Sequence, residues 1–375
     1  MAGLRIVAGG DVAIGGVLAG LSAEELASRV QGVSALFAAG DLGVVSLDCA
    51  IGEQGEPPQP EEYVVDGPLA NLAILEGLGI GLVTQANNHS TDRGLGALTE
   101  GRRELSRRGM RSVGAGGDEQ SAREPMIFEL GGMRLGFLAF ASTEPWVGAL
   151  GASAEGGGVA PLRNAEAIAA VSRLATEVDA VVVGLHWGKE YIPLPPPESV
   201  RLGRALIDAG AGLVIGTHPH VVQPLETYNG GVICYSLGNL LFPPYPEQGL
   251  GFSGSGCQSL VVTFEVTADS TSVESLTVVS FDDDGFLSIV AEPDAGALLT
   301  ELSKAGETLG SRQHEREWRM AVQRHEAARL CRVLREEVLA AGWRGGSARL
   351  LHLGRKNLSS VVRSLGEILW PRKGS

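Results

Sequence analysis

The chain has 375 residues, of which 44% are hydrophobic and 20% are charged, a composition that is typical of globular proteins and excludes disorder over most of the length. The formal net charge of −14 is unevenly distributed, because residues 311–375 carry 14 basic and 6 acidic side chains whereas residues 1–310 carry 16 basic and 38 acidic ones. An acidic body repels phosphate backbones, so the charge argues against nucleic-acid binding through the body.

Short β-branched runs alternate with alanine- and leucine-rich segments as far as about residue 240, a pattern typical of α/β units with buried strands. The predicted elements in chain order are strand Leu4–Ala8, helix Ala23–Ala38, strand Val44–Leu47, helix Ala70–Leu78, strand Gly81–Thr84, helix Leu95–Arg108, strand Arg134–Phe140, helix Asn164–Thr176, strand Ala180–Leu185, helix Glu198–Ala209, strand Leu213–Ile215 and strand Val232–Tyr235.

The pattern changes after this alternating region. Consecutive strands are predicted at Ser259–Val266, Ser272–Phe281 and Phe286–Ala291, and we expect them to form an antiparallel meander in a second sheet. Two stretches rich in glycine and proline, Gly148–Gly158 and Pro243–Gly256, are predicted to be surface loops.

A helical pattern follows Pro293, with an amphipathic, arginine-rich run at Arg312–Ala341 and a second helix at Leu350–Leu369. We therefore expect a catalytic domain at 1–293 and a basic helical extension at 294–375. The apolar stripe of the first tail helix favours packing on the body or on a partner helix. Homo-oligomerisation through the C-terminal helices is our preferred interpretation, ahead of binding to a membrane surface or a nucleic acid.

Four of the seven histidines follow predicted strands. They are His89, His186, His218 and His220, in the motifs TQANNHSTDRG, GLHWGKEY and IGTHPH. The carboxyl ends of strands in an α/β sheet converge on one crevice, so side chains from distant parts of the sequence meet there. We expect these imidazoles to lie close together.

Carboxylates and amides occupy equivalent positions. Asp11 follows the first strand, Asp48 ends the second, and Asn87 and Asn88 precede His89. Such a mixed oxygen and nitrogen set suits Mn²⁺, Fe or Zn²⁺ rather than Ca²⁺ or Mg²⁺. The set is large enough for two ions, and a carboxylate such as Asp48 is able to bridge a pair about 3.5–4 Å apart.

Each motif also has a simpler interpretation. An aspartate after two glycines is often a turn residue or helix cap, and Asn87-Asn88 is often turn chemistry. His186, beside Trp187, is compatible with a hydrogen-bonded core histidine. Taken together, the strand-end positions favour a metal centre.

The ordered series GGDV, SLD, ANNHSTDRG, GLHWGKEY, IGTHPHVVQP and CYSLGNLLF, over about residues 4–242, resembles the CapA family of bacterial poly-γ-glutamate capsule biosynthesis proteins. That family belongs to the calcineurin-like metallophosphatase superfamily. The resemblance implies an α/β fold of two packed mixed sheets flanked by helices in α/β/β/α layers, with the meander in the second sheet.

The resemblance also implies a role for each motif residue. The metal ligands would be divided between two ions, with Asn88, His186 and His218 on one, Asp11 and His220 on the other, and Asp48 bridging them.

Three further residues receive catalytic roles from the same resemblance. His89 would act near the leaving group as general acid or charge stabiliser, Asp92 would orient it, and Glu190 would support the ligands or act as a base. The chain departs from the superfamily at Ala13, where a histidine ligand is expected, so we expect the site of the first ion to be weaker or empty. It also has Ser46-Leu47-Asp48 where the family usually has Asn-Leu-Glu.

The leading functional hypothesis is a metal-dependent hydrolase of the metallophosphoesterase type, in which a metal-held hydroxide attacks a phosphoester or amide-like substrate. It would need one or two divalent ions (Mn, Fe or Zn) and act on a small-molecule or peptide-like substrate. One alternative is CapA-type formation or transfer of a γ-glutamyl or peptide amide bond, and the absence of a P-loop then requires a substrate activated elsewhere. Another is a non-catalytic, metal-containing binding module.

Cysteines and apolar runs set the expected compartment. The four cysteines form no CxxC pair, which argues against a disulfide scaffold or zinc ribbon and favours a reducing environment. No apolar run reaches the roughly 18 residues of a membrane helix, and no basic-then-apolar leader is visible. We expect a cytoplasmic protein without a membrane anchor.

Overall fold

The computed structural model describes residues 3–52, 55, 63–143 and 149–331. The strands are β1 (Leu4–Val12), β2 (Leu42–Leu47), β3 (Ala50–Ile51), β4 (Asp66–Gly67), β5 (Ile80–Thr84), β6 (Arg111–Val113), β7 (Ala115–Gly116), β8 (Met126–Leu130), β9 (Met133–Ala141), β10 (Gly158–Val159), β11 (Ala180–His186), β12 (Ala211–Thr217), β13 (Leu225–Tyr228), β14 (Gly231–Cys234), β15 (Asn239–Leu241), β16 (Gln258–Val266), β17 (Thr271–Phe281) and β18 (Leu287–Ile289).

The helices are α1 (Ala23–Ala38), α2 (Ala73–Leu78), α3 (Gly94–Arg107), α4 (Glu119–Ala122), α5 (Asn164–Leu174), α6 (Pro197–Asp208) and α7 (Asp294–Gly306). Short 3₁₀ turns occupy Gly16–Leu18, Leu69–Leu72, Pro246–Gln248 and Gly254–Cys257. Residues 312–331 are also helical.

Helix α1 shows how the sequence determines these elements. Ser22 accepts a hydrogen bond from the Glu25 amide while the Glu25 carboxylate accepts one from the Ser22 amide, and this reciprocal cap fixes the start of the helix. Leu26, Val30 and Val33 are buried at spacings of three and four residues, so one face packs on the sheet.

Two mixed sheets form the centre of the molecule. The first has the order β18-β17-β16-β1-β2-β5-β6 with β15 also paired to β1, and the second has the order β13-β14-β12-β11-β9-β8. In the first, β1, β2, β5 and β6 are parallel neighbours. In the second, β9, β11, β12 and β14 are parallel neighbours.

Three apolar cores define the layers. Ile6 and Leu82 of the first sheet pack with Leu135 and Val182 of the second, so the sheets face one another. The other face of the first sheet is covered by α1, α2 and α3 through side chains such as Val30. Helices α5 and α6 cover the outer face of the second sheet. The expected α/β fold with α/β/β/α layers is confirmed.

The structure corrects the position of the meander. Strands β16, β17 and β18 are antiparallel neighbours as expected, but β16 pairs with β1 and therefore extends the first sheet rather than the second. The edge of β1 opposite β2 offers unpaired backbone groups, and β16 satisfies them. The second sheet is instead built from residues 126–141 and 180–234.

The loop prediction also needs correction. Within Pro243–Gly256, the Tyr245 ring is buried in the core between the first sheet and its helices, and Phe252 packs against the same core. This segment is therefore partly packed rather than a free surface loop. In the other predicted loop, Gly148 lies outside the described residues, and Gly158 pairs with Gly116 in a two-residue ladder.

The boundary between two compact units falls between Ser311 and Arg312. Helix α7 was predicted to belong to the extension but lies in the first unit, because Ala295 and Leu302 belong to the core of that unit. The helix predicted at Arg312–Ala341 is described as far as residue 331, and Leu350–Leu369 lies outside the described residues.

Two further expectations concern cysteines and membrane spans. All four cysteines are described and none forms a disulfide. In the described part of the chain, no helix combines the length and the apolar character needed to span a bilayer.

Candidate metal centre

The polar side chains predicted from the sequence lie where the carboxyl ends of the two sheets meet. Asp11 is near the end of β1, Asp48 follows β2, His186 ends β11, and His218 follows β12. Asp11, Asp48, His186 and His218 are all at most 1% exposed. The close approach of β1 to the chain before β15 depends on Gly10, since a Cβ there would lie 1.9 Å from the Gly238 carbonyl oxygen.

One group of ligand-type atoms surrounds His186. Its Nε2 atom lies 2.7 Å from Asn88 Oδ1 and 3.1 Å from His218 Nδ1, and 3.9 Å from Asp48 Oδ1. Ligand atoms bound at about 2.1 Å to one ion lie about 3 Å from each other. The distances from His186 Nε2 to Asn88 and to His218 are therefore those expected between ligands of a single ion.

A second group contains Asp11, Asp48 and His220. Each offers one ligand atom, and these atoms lie within 4.8 Å of one another. His220 Nδ1 lies 2.8 Å from Asn239 Oδ1, and the Asn239 amide nitrogen donates to the Gly256 carbonyl. Because an amide oxygen only accepts, His220 Nδ1 carries the proton and Nε2 presents its lone pair.

Two buried side chains support the presence of a cation. Neither carboxylate oxygen of Asp48 has a hydrogen-bond partner among the described residues, and neither does His218 Nε2. A buried carboxylate without a partner costs several kcal/mol unless it is paired or coordinates a metal. The donor set therefore fits a divalent ion, and Asp48 lies where it contacts both groups.

Burial controls the charge states of these groups. Desolvation, reinforced for Asp48 by the nearby Asp11 charge, raises the pKa of both aspartates above the usual value. Desolvation and neighbouring imidazoles lower the pKa of His186 and His218 well below the usual value. Both imidazoles are therefore neutral, which is the state that binds a metal.

His89 and Asp92 form a pair beside the two ligand groups. His89 Nδ1 lies 2.8 Å from Asp92 Oδ2, and that oxygen also accepts a hydrogen bond from the Val65 amide. Burial opposes protonation of His89, but the hydrogen bond to Asp92 and the charge of Asp48 raise its pKa to about 9. The His89 side chain remains 16% exposed, so it is accessible from solvent.

Asn87 and Asn88 have different roles although they are adjacent. Asn87 Oδ1 accepts from the Ser90 amide at 2.8 Å and from the His89 amide at 3.2 Å, and its Nδ2 donates to the Leu47 carbonyl at 2.7 Å. Asn87 thus fits the turn interpretation, whereas Asn88 directs its oxygen at His186.

The His-Pro-His turn has an unusual backbone. His218 and His220 have φ angles of +93° and +55°, a region that non-glycine residues rarely adopt and that is concentrated at functional sites. The imidazole rings lie 5.8 Å apart with planes at 56°. The turn thus brings both imidazoles to the same place in the fold.

Two contributions were not recognised in the sequence. Asn239 fixes the tautomer of His220, and its signal was the SLGN motif after the strand at Gly231–Cys234. Glu190 was assigned a supporting or base role, yet its carboxylate lies with ligand atoms of His218 and His220 within 4.8 Å of one another.

Comparisons with known proteins place the chain in a family. Residues 5–244 match a family model described as bacterial capsule synthesis protein PGA_cap. The chain is 29% identical to the PGA biosynthesis protein CapA of Bacillus subtilis (strain 168), over 62% of each protein. It is 32% identical to the capsule biosynthesis protein CapA of Bacillus anthracis over 44% of this chain and 40% of that one. The match thus spans less than two thirds of these relatives' lengths.

A solved structure with similar chain path is a novel phosphatase from Mycoplasma pneumoniae. It is 14% identical, and the superposition covers 79% of this chain and 98% of that one with a TM-score of 0.47. This score is low, so the architecture described above rests on the sheets and helices of the chain itself.

Proposed function

The chain belongs to the bacterial capsule synthesis protein family, and we propose that it is a metal-dependent hydrolase that cleaves a phosphoester or an amide-like substrate. The observation that carries the proposal is the Asp48 carboxylate, which is buried without a hydrogen-bond partner in the described chain and lies beside two groups of ligand-type atoms. One or two divalent cations, Mn²⁺, Fe or Zn²⁺, would balance this charge.

The proposed ligands divide between two positions. Asn88, His186 and His218 would hold one cation, Asp11 and His220 the other, and Asp48 would contact both. Such a cation would polarise a substrate oxygen and lower the pKa of a water. The remaining roles belong to side chains of the protein.

His89 is proposed to protonate the leaving group. Asp92 holds its Nδ1 atom, which fixes the ring and favours the protonated imidazole. Its partial exposure allows a substrate to reach the ring. Asp92 is proposed to act through His89 and not on the substrate directly.

The names of the relatives favour a second candidate. Both Bacillus proteins are named for capsule or PGA biosynthesis, which favours formation or transfer of a γ-glutamyl or peptide amide bond. An acyl phosphate supplied with an acceptor amine would distinguish the two candidates, because only a transferase would form the amide faster than it hydrolyses the acyl phosphate.

The hydrolase proposal is tested with purified protein, Mn²⁺ and a panel of phosphoesters and γ-glutamyl amides. We expect turnover that stops on chelation, returns with added Mn²⁺ and falls by at least about 100-fold in Asp48→Asn, since a cation-holding charge is lost. Asp269→Asn, at an exposed turn, is the matched control and should keep wild-type activity. Absence of metal-dependent turnover on the whole panel would remove the proposal.

A further inference from the structure

The segment that follows β11 brings a carboxylate next to the His-Pro-His turn. Glu190, His218 and His220 each offer a ligand atom, and these atoms lie within 4.8 Å of one another. His220 also belongs to the group with Asp11 and Asp48. The Glu190 carboxylate is therefore a neighbour of the proposed second cation position.

Backbone contacts hold Glu190 in this place. The amide of Tyr191 donates to the Pro219 carbonyl at 2.8 Å, and Tyr191 has a φ of +61°. Gly188 has a φ of +86°, and a Cβ there would lie 3.3 Å from Pro219 Cγ. Gly188 and Tyr191, on either side of Glu190, thus both pack on Pro219. The backbone position of Glu190 is therefore set by the fold.

An unpartnered atom in the same place points to a ligand. His218 is fully buried, its Nδ1 faces His186, and its Nε2 has no hydrogen-bond partner in the described chain. A buried polar atom of this kind is normally paired with protein, water or an ion. A carboxylate and imidazole nitrogens around such an atom form a donor set suited to a cation.

We infer that Glu190 is a metal ligand beside the His-Pro-His turn, in one group with His218 and His220. This inference rests on the proposed metal centre and adds a ligand to it. The side chain at Ala13 is a methyl group and offers no donor atom, and Glu190 would add a charged ligand in the group that shares His220 with Asp11 and Asp48. One carboxylate and two imidazoles form a mixed oxygen and nitrogen set, which suits Mn²⁺, Fe or Zn²⁺.

The test compares Mn²⁺ binding to wild-type protein, Glu190→Gln and Glu129→Gln. Glutamine has the shape of glutamate but lacks its charge, and Glu129 is an exposed carboxylate on β8. Equilibrium dialysis against Mn²⁺ followed by elemental analysis gives the number of ions and their affinities. Unfolding temperatures in EDTA should agree among the three proteins, which shows that each is folded.

We expect Glu190→Gln to lose one Mn²⁺ per chain or to bind it at least about tenfold more weakly, since even outer partners of ligands contribute that much. Glu129→Gln should match wild type. Unchanged number and affinity in Glu190→Gln would overturn the Glu190 assignment and leave the proposed function intact. Wild-type protein that binds no Mn²⁺ would overturn both.

A second measurement does not depend on the variant. Wild-type crystals soaked in Mn²⁺ should give an anomalous peak at bonding distance, about 2.2 Å, from the Glu190 carboxylate. Peaks beside His186 and none beside Glu190 would contradict the inference.

Discussion

At the scale of single residues, Asp48 determines the energetics of the centre. Its two oxygens are buried without hydrogen bonds in the described chain, and one of them lies within 4.8 Å of ligand atoms of Asp11 and His220. Two like-charged carboxylates in a buried site repel each other and lose their hydration. A cation bound between the two carboxylates would offset their repulsion and their lost hydration by electrostatic attraction.

The first prediction concerns Asp48→Asn. Without metal, the variant should be more stable than wild type by at least about 1 kcal/mol, because it removes a buried and unpaired charge. In wild type, Mn²⁺ at one hundred times its dissociation constant should add about 2.7 kcal/mol per site, and the variant should lose most of this gain. Thermal unfolding at pH 7, with EDTA and with Mn²⁺, measures both effects. Equal stabilisation of the two proteins by Mn²⁺ would contradict this role for Asp48.

Asn239 would act on the proposed metal centre through His220. Its side-chain oxygen accepts from His220 Nδ1 while its nitrogen donates to Gly256, so the imidazole is fixed in one tautomer. The register of β1 and β15 places Asn239 opposite Asp11. Both a proposed ligand and the residue that orients another ligand therefore depend on this strand pair.

The second prediction is that Asn239→Ala binds Mn²⁺ about 10–100-fold more weakly than wild type, the range found when such supporting partners are removed. Asn239→Asp keeps an acceptor for His220 Nδ1 and should recover most of the affinity. Calorimetric titration measures both variants. An Asn239→Ala protein with wild-type affinity would show that His220 needs no fixed tautomer.

The sequence located most of the candidate ligands because each follows a strand, and strand ends of this fold converge. It did not reveal the contribution of Asn239, since hydrogen bonding to an imidazole 19 residues away leaves no local pattern. It also did not reveal the proximity of Glu190 to His220, which depends on the contact between two loops after different strands.

At the scale of elements, the turn between β5 and α3 joins the site to the first sheet. Asn87 connects two amides of this turn to the Leu47 carbonyl at the end of β2. The turn carries Asn88 and His89, and Leu47 immediately precedes Asp48. Residues from both proposed cation positions are therefore held together by one fully buried side chain.

The third prediction is that Asn87→Ala lowers the free energy of unfolding by about 2–4 kcal/mol. The backbone amides of His89 and Ser90 lose their acceptor, and each loss costs about 1–3 kcal/mol of stability. Asn87→Asp retains the acceptor and should lose less. Urea denaturation in EDTA isolates this effect from metal binding. A loss below about 0.5 kcal/mol in Asn87→Ala would mean that the turn forms without the side chain.

Helices and strands were predicted correctly where apolar residues recur at regular spacing. Predictions failed where the pairing of one strand with another determines the structure. Helix α1 begins and ends where the sequence indicated, because a cap and a regular apolar face define it. Edge strands β8 and β13 were missed, since their side chains are mostly half-buried and the run is short. The meander joins the first sheet because β16 pairs with β1. The local sequence does not indicate which strand offers a free edge.

At the scale of the whole molecule, acidic side chains dominate residues 1–310 and basic side chains dominate residues 311–375. The first compact unit ends at Ser311, and the residues that follow carry the excess of arginine. We predict that the 375-residue chain forms a dimer with twice the 39.0 kDa mass of one chain. A chain ending at Ser311 should be monomeric, as measured by light scattering after size-exclusion chromatography. An unchanged oligomeric state would exclude the tail as the dimer contact.

The central claim is that strand ends from both sheets hold a cation around Asp48. Anomalous diffraction from Mn²⁺-soaked crystals tests it most directly. The account predicts a peak at bonding distance from Asp48, with His186 or His220 as a shared ligand. A well-ordered site in which Asp48 and both imidazoles surround only water, at saturating Mn²⁺, would contradict it.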